Sequence, residues 1–431
     1  MTVIYWFRRD RRLSDNPALT MAIAQANAMG ATLLPVTLRE PNPGTQWGFT
    51  RLGAHRLAFE AQALAGLAKE LQRLGSNLYQ PEAPGIDGLI ALARAFNATT
   101  IVYETIHAPQ ELSEAAMLKA AGFNIQSIEQ SSLLPEQALP FEAVNTPIVF
   151  SDFRRQVEKA RALPREPMPA PATLPSLPDQ ISFATPYASD TRLPVVDQRS
   201  AFPYPSALWH GDQRHGQQHL ECYFDSSLPR VYKETRNQLI GTDYSTKFSP
   251  WLAVGAISAA QIWQALQQHE VKHGANDGTY WIWFELLWRD HFRLMMRRFG
   301  RKLFYRRGLA SAAVQIDKPN QAGFDRWCAG DTGNDFIDAA MRELATTGYL
   351  SNRMRQNVAS FLVHDLRGDW LAGAAWFEHC LVDFDVHSNQ GNWAYIAGVG
   401  TDPRGGRRFN PDKQAHDYDS KRAYRDLWSH K

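Results

Sequence analysis

Cysteine is scarce in this chain of 431 residues: Cys222, Cys328 and Cys380 are the only three, and they lie far apart. An odd, scattered set excludes a closed disulfide framework and a paired-cysteine zinc site, and it suits a reducing compartment, the cytoplasm. No run of about eighteen consecutive apolar residues occurs, and the opening MTVIYWFRRDRRLSDNP lacks the apolar core of a secretion signal. No membrane span is expected. The excess of one charge sign is small, a formal +2. That excludes a polybasic tail protein but not a local basic groove, because net charge averages over faces. No G-x-G-x-x-G follows any strand-like run, so the usual dinucleotide fingerprint is missing. There is no internal repeat and no low-complexity tract.

What is present divides the chain. Its length exceeds the roughly 250–300 residues at which one core stops growing, which predicts two domains. Over residues 1–130, apolar runs such as TVIYWF, ATLLPVTL and TTIVYE alternate with helical patterns such as RLAFEAQALAGLAKELQRLG. That alternation predicts an α/β domain with a parallel, Rossmann-like sheet. Residues 131–205 read as an interdomain connector, whose prolines from about Pro164 to Pro205 exclude helix and central strand and send the chain across a surface. Residues 206–431 carry apolar residues at three- and four-residue steps and predict an all-α domain. Eleven of the thirteen tryptophans lie in this half, a concentration that asks for a purpose beyond packing.

Several constellations in the helical half carry chemistry. In FELLWRDHF, Glu285, Trp288 and Arg289 share one helix face, either as an i,i+4 ion pair beside a core tryptophan or as part of a site. The stretch TGYLSNRMRQNVASFLVHDLRGDW reads as one helix. Its first half carries Asn352, Arg353, Arg355, Gln356 and Asn357, and its second half is apolar and ends at Trp370. Amides beside guanidiniums suit a planar ligand with hydrogen-bonding edges; a solvated helix start is the plainer alternative. GTDYSTKFSPWLAVGAIS sets Ser245, Thr246 and Ser249 ahead of a helix whose free N–H groups suit an anion, although capping alone accounts for one hydroxyl. LVDFDVHSNQGNWAY places Asp383 and Asp385 two apart, near Asn389 and Trp393. With aromatic and amide neighbours and no further carboxylate, the pair suits hydrogen bonding to a heterocycle and a guanidinium better than a metal. The basic, aromatic-interleaved DPRGGRRFNPDKQAHDYDSKRAYRDLW suits a nucleic-acid backbone or a solvated tail.

Together YWFRRDRRLSDNPAL, GFTRLGAHR, KFSPWLAVGAIS, FELLWRD, TGYLSNRMRQNVASFLVHDL and DVHSNQGNWAYIAGVGTDPR resemble the cryptochrome/photolyase flavoproteins, the DASH cryptochromes in particular, over nearly the whole chain. The resemblance implies an N-terminal domain that carries a light-harvesting antenna and a helical domain that encloses FAD. It assigns Tyr232 and the run Ser245, Thr246, Lys247, Phe248 and Ser249 to the FAD phosphates, and Arg289 and Asn352 to the pocket wall. Asp383 and Asp385 would reach the adenosine and ring side, Arg355 would pair with Asp383, and Asn389 would face flavin N5.

The lesion pocket implied is Glu285, Trp288, Asn352, Gln356 and Tyr395. Gln356 and Tyr395 stand where photolyases acting on duplex DNA have a methionine and a second tryptophan. The implied activity is blue-light repair of cyclobutane pyrimidine dimers in single-stranded DNA by a monomer, with a light sensor that repairs little as the alternative. Trp393 and Trp370 match the first two members of a tryptophan electron chain. The third position falls at or next to Asp317, where no tryptophan stands, so either the chain ends early or Trp327 or another aromatic serves as the terminus. Gln110 and Glu111 match a folate position, implying a 5,10-methenyltetrahydrofolate antenna, and Arg353, Arg404 and Lys413 are candidate DNA-phosphate contacts.

Overall fold

The computed structural model describes residues 1–189, 191–311, 319–402 and 405–429. Arg404 and Asp317 lie outside the described residues. Five parallel strands, β1 (Thr2–Phe7), β2 (Thr32–Thr37), β3 (Tyr79–Pro81), β4 (Thr100–Glu104) and β5 (Asn124–Ile128), form one sheet with an antiparallel edge strand, β6 (Ala184–Pro186). The order is β5-β4-β1-β2-β3-β6. Every residue of β1 is buried, because helices cover both faces of a parallel sheet and leave no solvent side to alternate with. Val3 pairs with Leu33 of β2 on one side and Thr100 of β4 on the other. The first crossover helix, Pro17–Met29, starts where Asn16 accepts the amide of Leu19 and a proline fills the first turn, and it stops at left-handed Gly30.

The proline-rich connector does more than cross a surface. It supplies β6, which pairs Gln80 with Thr185 at the sheet edge, where Pro186 can sit without breaking an interior ladder. It also folds the helix Phe150–Ala160, anchored by buried Phe150, Phe153 and Val157. The sequence reading passed over that helix because its three apolar residues stand among charges. Among the described residues beyond 205 every element is helical. The longest, Asp277–Phe299, begins at a reciprocal cap in which Asn276 and Thr279 each satisfy the other's amide. It crosses the helices Leu228–Thr235 and Val386–Ile396.

The stretch read as one helix from Thr347 to Trp370 is broken. A helix spans Asn352–Ser360, a wider π-type turn covers Phe361–Asp365, and Trp370 opens a separate helix, Trp370–Cys380, capped by Asp369. Arg367 in a left-handed conformation turns the chain. Gly368 then packs so closely on Leu362 that an added Cβ would lie 2.4 Å from its Cδ1.

The two halves meet along a hydrogen-bonded seam. After β1 the buried Arg12 donates from Nη1 to the carbonyl of Gly255 at 2.9 Å. Asp290 of the long helix accepts the amides of Leu133 and Leu134 at 2.7 and 2.8 Å. Burial pushes the Asp290 carboxyl up to about 6 even with these two donors.

Candidate active site

A cavity of about 570 Å³ opens in the helical half, within the roughly 300–1,000 Å³ of small-molecule sites. A lobe of about 90 Å³ adjoins it. Four segments distant in sequence build the walls. The loop before the helix Ser249–Val254 brings Ser245, Thr246, Lys247, Phe248 and Ser249; the helix Leu228–Thr235 brings Tyr232; the long helix brings Glu285, Trp288 and Arg289; the helix Asn352–Ser360 brings Asn352, Arg353, Arg355 and Gln356. Asp383 and Tyr395 complete the main cavity, while Asp385, Asn389 and Trp393 line the lobe.

Electrostatics decide which of these groups await a ligand. Arg355 Nη2 lies 2.9 Å from Asp383 Oδ2, which also accepts the Ser249 hydroxyl at 2.7 Å. Asp383 Oδ1, the Tyr244 hydroxyl and Lys247 Nζ are buried with no hydrogen-bond partner among the described residues. Lys247 is 2 % exposed, and its ammonium sits 3.4 Å from the centre of the Tyr244 ring. Burial holds it well below the usual lysine range. Buried polar atoms without partners are costly, so a cavity lined by an acceptor, a hydroxyl and an ammonium is built for a polar, anionic guest. These residues fit FAD, with its diphosphate, ribose hydroxyls and ring edges.

Several details differ from the sequence reading. The helix after the hydroxyl-rich loop has only six residues and no side chain caps it; Ser249 spends its hydroxyl on Asp383 instead. Glu285 and Arg289 do not pair: Glu285 meets Arg236 at 2.5 Å, and Arg289 donates to the carbonyl of Ser131. Burial pushes Arg289 down to about 10. Asp385 turns away from the main cavity. It caps the helix Val386–Ile396 through the amide of Ser388 and pairs with Arg293 at 2.8 Å; burial alone would raise its carboxyl, but Arg293, His387 and Arg289 together hold it well below the usual range. Sequence reasoning missed Arg236, Tyr244, Tyr349 and Asn392, which also line the cavity. Asn392 was within reach, three residues after Asn389 on one helix face.

Trp288 stacks on Phe150 at 3.7 Å and meets Tyr395 edge-on at 5.8 Å. The Tyr395 hydroxyl accepts from Arg407 at 2.6 Å. Gln356 is held by Arg353, which also reaches Asn237. Lys413 stands on the surface beside Asp417. Trp393 is buried against Phe377 and Trp327, at 5.0 and 6.1 Å between ring centres. Trp370 is buried and donates its indole N–H to the carbonyl of Arg306.

Gln110 and Glu111 line a cleft at the carboxyl ends of β1 and β2, where open parallel sheets place ligands. The cleft holds only about 50 Å³ and is crossed by the ion pairs Arg8–Glu114 and Arg9–Glu40. As it stands it does not fit a folate.

Away from the cavity, His210, Asp212 and His215 bring donor atoms within 4.8 Å of one another. Asp212 is engaged as a helix cap and with His215 Nδ1, and Arg214 lies 3.4 Å from His215 Nε2. The group is a hydrogen-bonded helix start.

Behind the loop, Glu343 accepts from the Tyr424 hydroxyl, and burial pushes its carboxyl up to about 8. The unfolded chain releases that proton near 4.3. Between those values the unfolded state holds fewer protons, so stability falls as pH rises from about 4.3 towards 8. The uncharged Glu343→Gln variant is expected to show a shallower loss in urea melts between pH 5 and 8; parallel curves would refute the buried proton.

The family model for DNA photolyase matches residues 3–172, and that for the FAD binding domain of DNA photolyase matches residues 281–430. Fold and family models thus define a photolyase-type protein with an FAD-binding domain. Curated relatives named Cryptochrome DASH are 41% identical in Gloeobacter violaceus, covering 99% of this chain and 85% of the relative, and 40% identical in Xenopus laevis, covering 99% and 82%. The crystal structure of a Synechocystis cryptochrome superposes with a TM-score of 0.91 at 37% identity, over 99% of this chain and 88% of that one. A class III photolyase from Agrobacterium tumefaciens gives 0.80 at 27%, over 99% and 86%. The chain therefore belongs to the cryptochrome/photolyase family, among its DASH cryptochromes. No helix among the described residues is long and apolar enough to cross a membrane.

Proposed function

We propose that this protein repairs cyclobutane pyrimidine dimers in single-stranded DNA under blue light. FAD held by Tyr232, Lys247, Ser249, Arg355 and Asp383 would, when reduced and excited, supply the electron that splits the dimer. The observation that carries the reading is one cavity lined by the Trp288 and Tyr395 rings, edge to face, together with Glu285, Gln356, Asn352 and Asp383. Trp288 is a stacking platform for a base, and Phe150 holds it flat from behind. Glu285 and Gln356 offer hydrogen bonds to pyrimidine edges. Asn389 gives its Nδ2 to the carbonyl of Ala374, which leaves its Oδ1 to accept from a protonated ring nitrogen and favour reduced flavin.

Flipping a dimer from a duplex costs a few kcal/mol, while each base–aromatic contact returns about 1–3 kcal/mol. Tyr395, tied by Arg407, offers a smaller and more polar partner than a second indole. We therefore place the substrate in single strands, where the flipping cost is largely absent. Arg353 and Lys413 are the described candidates for DNA phosphates. A folate antenna at Gln110 and Glu111 would need the ion pairs crossing that cleft to swing out. The free cysteines suit the cytoplasm, where the protein would act as a monomer.

The test is illumination of the FAD-loaded, reduced protein with a dimer-bearing oligothymidylate, alone and annealed to its complement. Repair of the single strand is expected to exceed repair of the duplex, and equal rates would overturn the substrate assignment. Photoreduction with no repair of either would favour a light sensor. Trp288→Ala is expected to weaken binding of the single-stranded dimer about 10–100-fold while the FAD absorbance stays.

A further inference from the structure

We propose that electrons reach the buried Trp393 from solvent through Trp327 and Trp376, with Phe324 and Phe49 as bridging rings. The inference rests on the flavin reading above and extends it. No tryptophan lies between Trp288 and Trp327 in the sequence, so the route through Trp370 lacks an indole at its expected outer position. Trp327 meets Trp393 edge to face, with ring centres 6.1 Å apart at 78°.

Trp327 is 0 % exposed. It cannot trade electrons with a solute and requires an outlet. Phe324, on the same helix Gln321–Ala329, stacks on Trp327 at 6.0 Å. Phe49 follows 6.4 Å from Phe324, and Trp376 meets Phe49 edge to face at 5.0 Å. Trp376 is half-buried at the surface, its ring stacked on the His379 imidazole at 5.3 Å. A benzene ring is harder to oxidise than an indole, so the two phenylalanines carry the transfer between tryptophans without holding charge.

The electrons balance in sequence. Trp393 gives one electron to the photoexcited, oxidised flavin; Trp327 refills Trp393, and Trp376 refills Trp327. The result is one oxidised indole at Trp376. Its N–H is shielded and has no hydrogen-bond partner among the described residues, so it keeps its proton as a radical cation. A thiolate in solution returns one electron, and two of the resulting thiyl radicals couple to a disulfide.

The experiment is transient absorption of the oxidised, FAD-loaded protein, with Trp376→Phe, Trp327→Phe and Trp47→Phe variants. Trp47 also touches Phe49, at 6.5 Å, and serves as the control. In the wild type the long-lived signal is expected to be that of a protonated indole radical. Trp376→Phe and Trp327→Phe should shorten it by an order of magnitude or more at unchanged FAD content, and Trp47→Phe should leave it alone. A signal that survives Trp376→Phe, or is lost in Trp370→Phe alone, overturns the route. Should Trp376→Phe fail to hold FAD, the wild type is illuminated in air without thiol and its peptides analysed by mass spectrometry. Oxygen addition at Trp376 supports the route, and addition only at other residues refutes it. A protein that stays colourless after incubation with FAD would instead sink the flavin reading itself.

Discussion

Arg355→Met is expected to leave the protein unable to retain FAD through gel filtration and to lower its unfolding free energy by about 3–5 kcal/mol. The reason is the partner left behind. The Asp383 side chain is only 1% exposed, and its Oδ2 sits 2.9 Å from Arg355 Nη2. Removing the cation strands a carboxylate in a low dielectric with the Ser249 hydroxyl as its remaining donor. Arg355 also donates to the carbonyl of Leu350 at 2.8 Å and lies over the Tyr349 ring, so its loss loosens the turn before its own helix. Burial alone would lower the guanidinium's proton affinity, but Asp383, together with Tyr349 and Tyr244, holds it above the ordinary range. Asp383→Asn in the same chain removes the stranded charge. The double variant should therefore recover part of the stability, a non-additivity of about 1 kcal/mol or more, without recovering FAD. The measurements are urea unfolding and flavin absorbance. Full FAD content with stability within about 0.5 kcal/mol of wild type would remove this pair from the anchor of the site.

How far the sequence discloses the site depends on the range over which each feature is decided. The strands β1, β2 and β4 and the long helix Asp277–Phe299 are legible because burial writes itself into neighbouring residues, as continuous apolar runs in the strands and as three- and four-residue steps in the helix. Strand β5, largely half-buried or exposed, leaves no such run. The faces shared by Glu285, Trp288 and Arg289, and by Asn352 and Gln356, follow from the same local rule. Partner choice does not. Glu285 had Arg289 four residues away, yet it pairs with Arg236, 49 positions upstream, because Arg289 is drawn to the backbone carbonyl of Ser131 across the domain seam. The break after Ser360 is similarly hidden, since it depends on how Gly368 packs against Leu362. The roles assigned by resemblance, such as Asn389 towards a ring nitrogen, carry no periodic signal at all. Least legible is the aromatic path from Trp327 to Trp376, which passes through Phe49. That residue belongs to a loop of the N-terminal half, and no spacing rule connects it to helices some three hundred positions on.

The second large effect is expected at Gly255, where seam and cavity share one short helix. Gly255 ends the helix Ser249–Val254 in a left-handed conformation, φ 75°, and an added Cβ would lie 1.8 Å from the carbonyl oxygen of Arg9. Two costs combine in Gly255→Ala. The backbone conformation costs a non-glycine residue about 1–2 kcal/mol. The clash is with main chain, which no rotamer change relieves, so the α/β half must move away from the helix. That motion also stretches the 2.9 Å bond from Arg12 to the Gly255 carbonyl. A loss of about 4 kcal/mol or more is expected. Gly241→Ala separates the two costs, because Gly241 has φ 93° and open space around it; it should lose only the backbone share. The consequence extends to the site. The displaced helix begins at Ser249, whose hydroxyl holds Asp383, two residues after Lys247. Gly255→Ala should therefore release FAD faster than Gly241→Ala at temperatures where both remain folded. Equal release from the two variants, measured by the recovery of free-flavin fluorescence, would show that the seam and the cavity are mechanically independent.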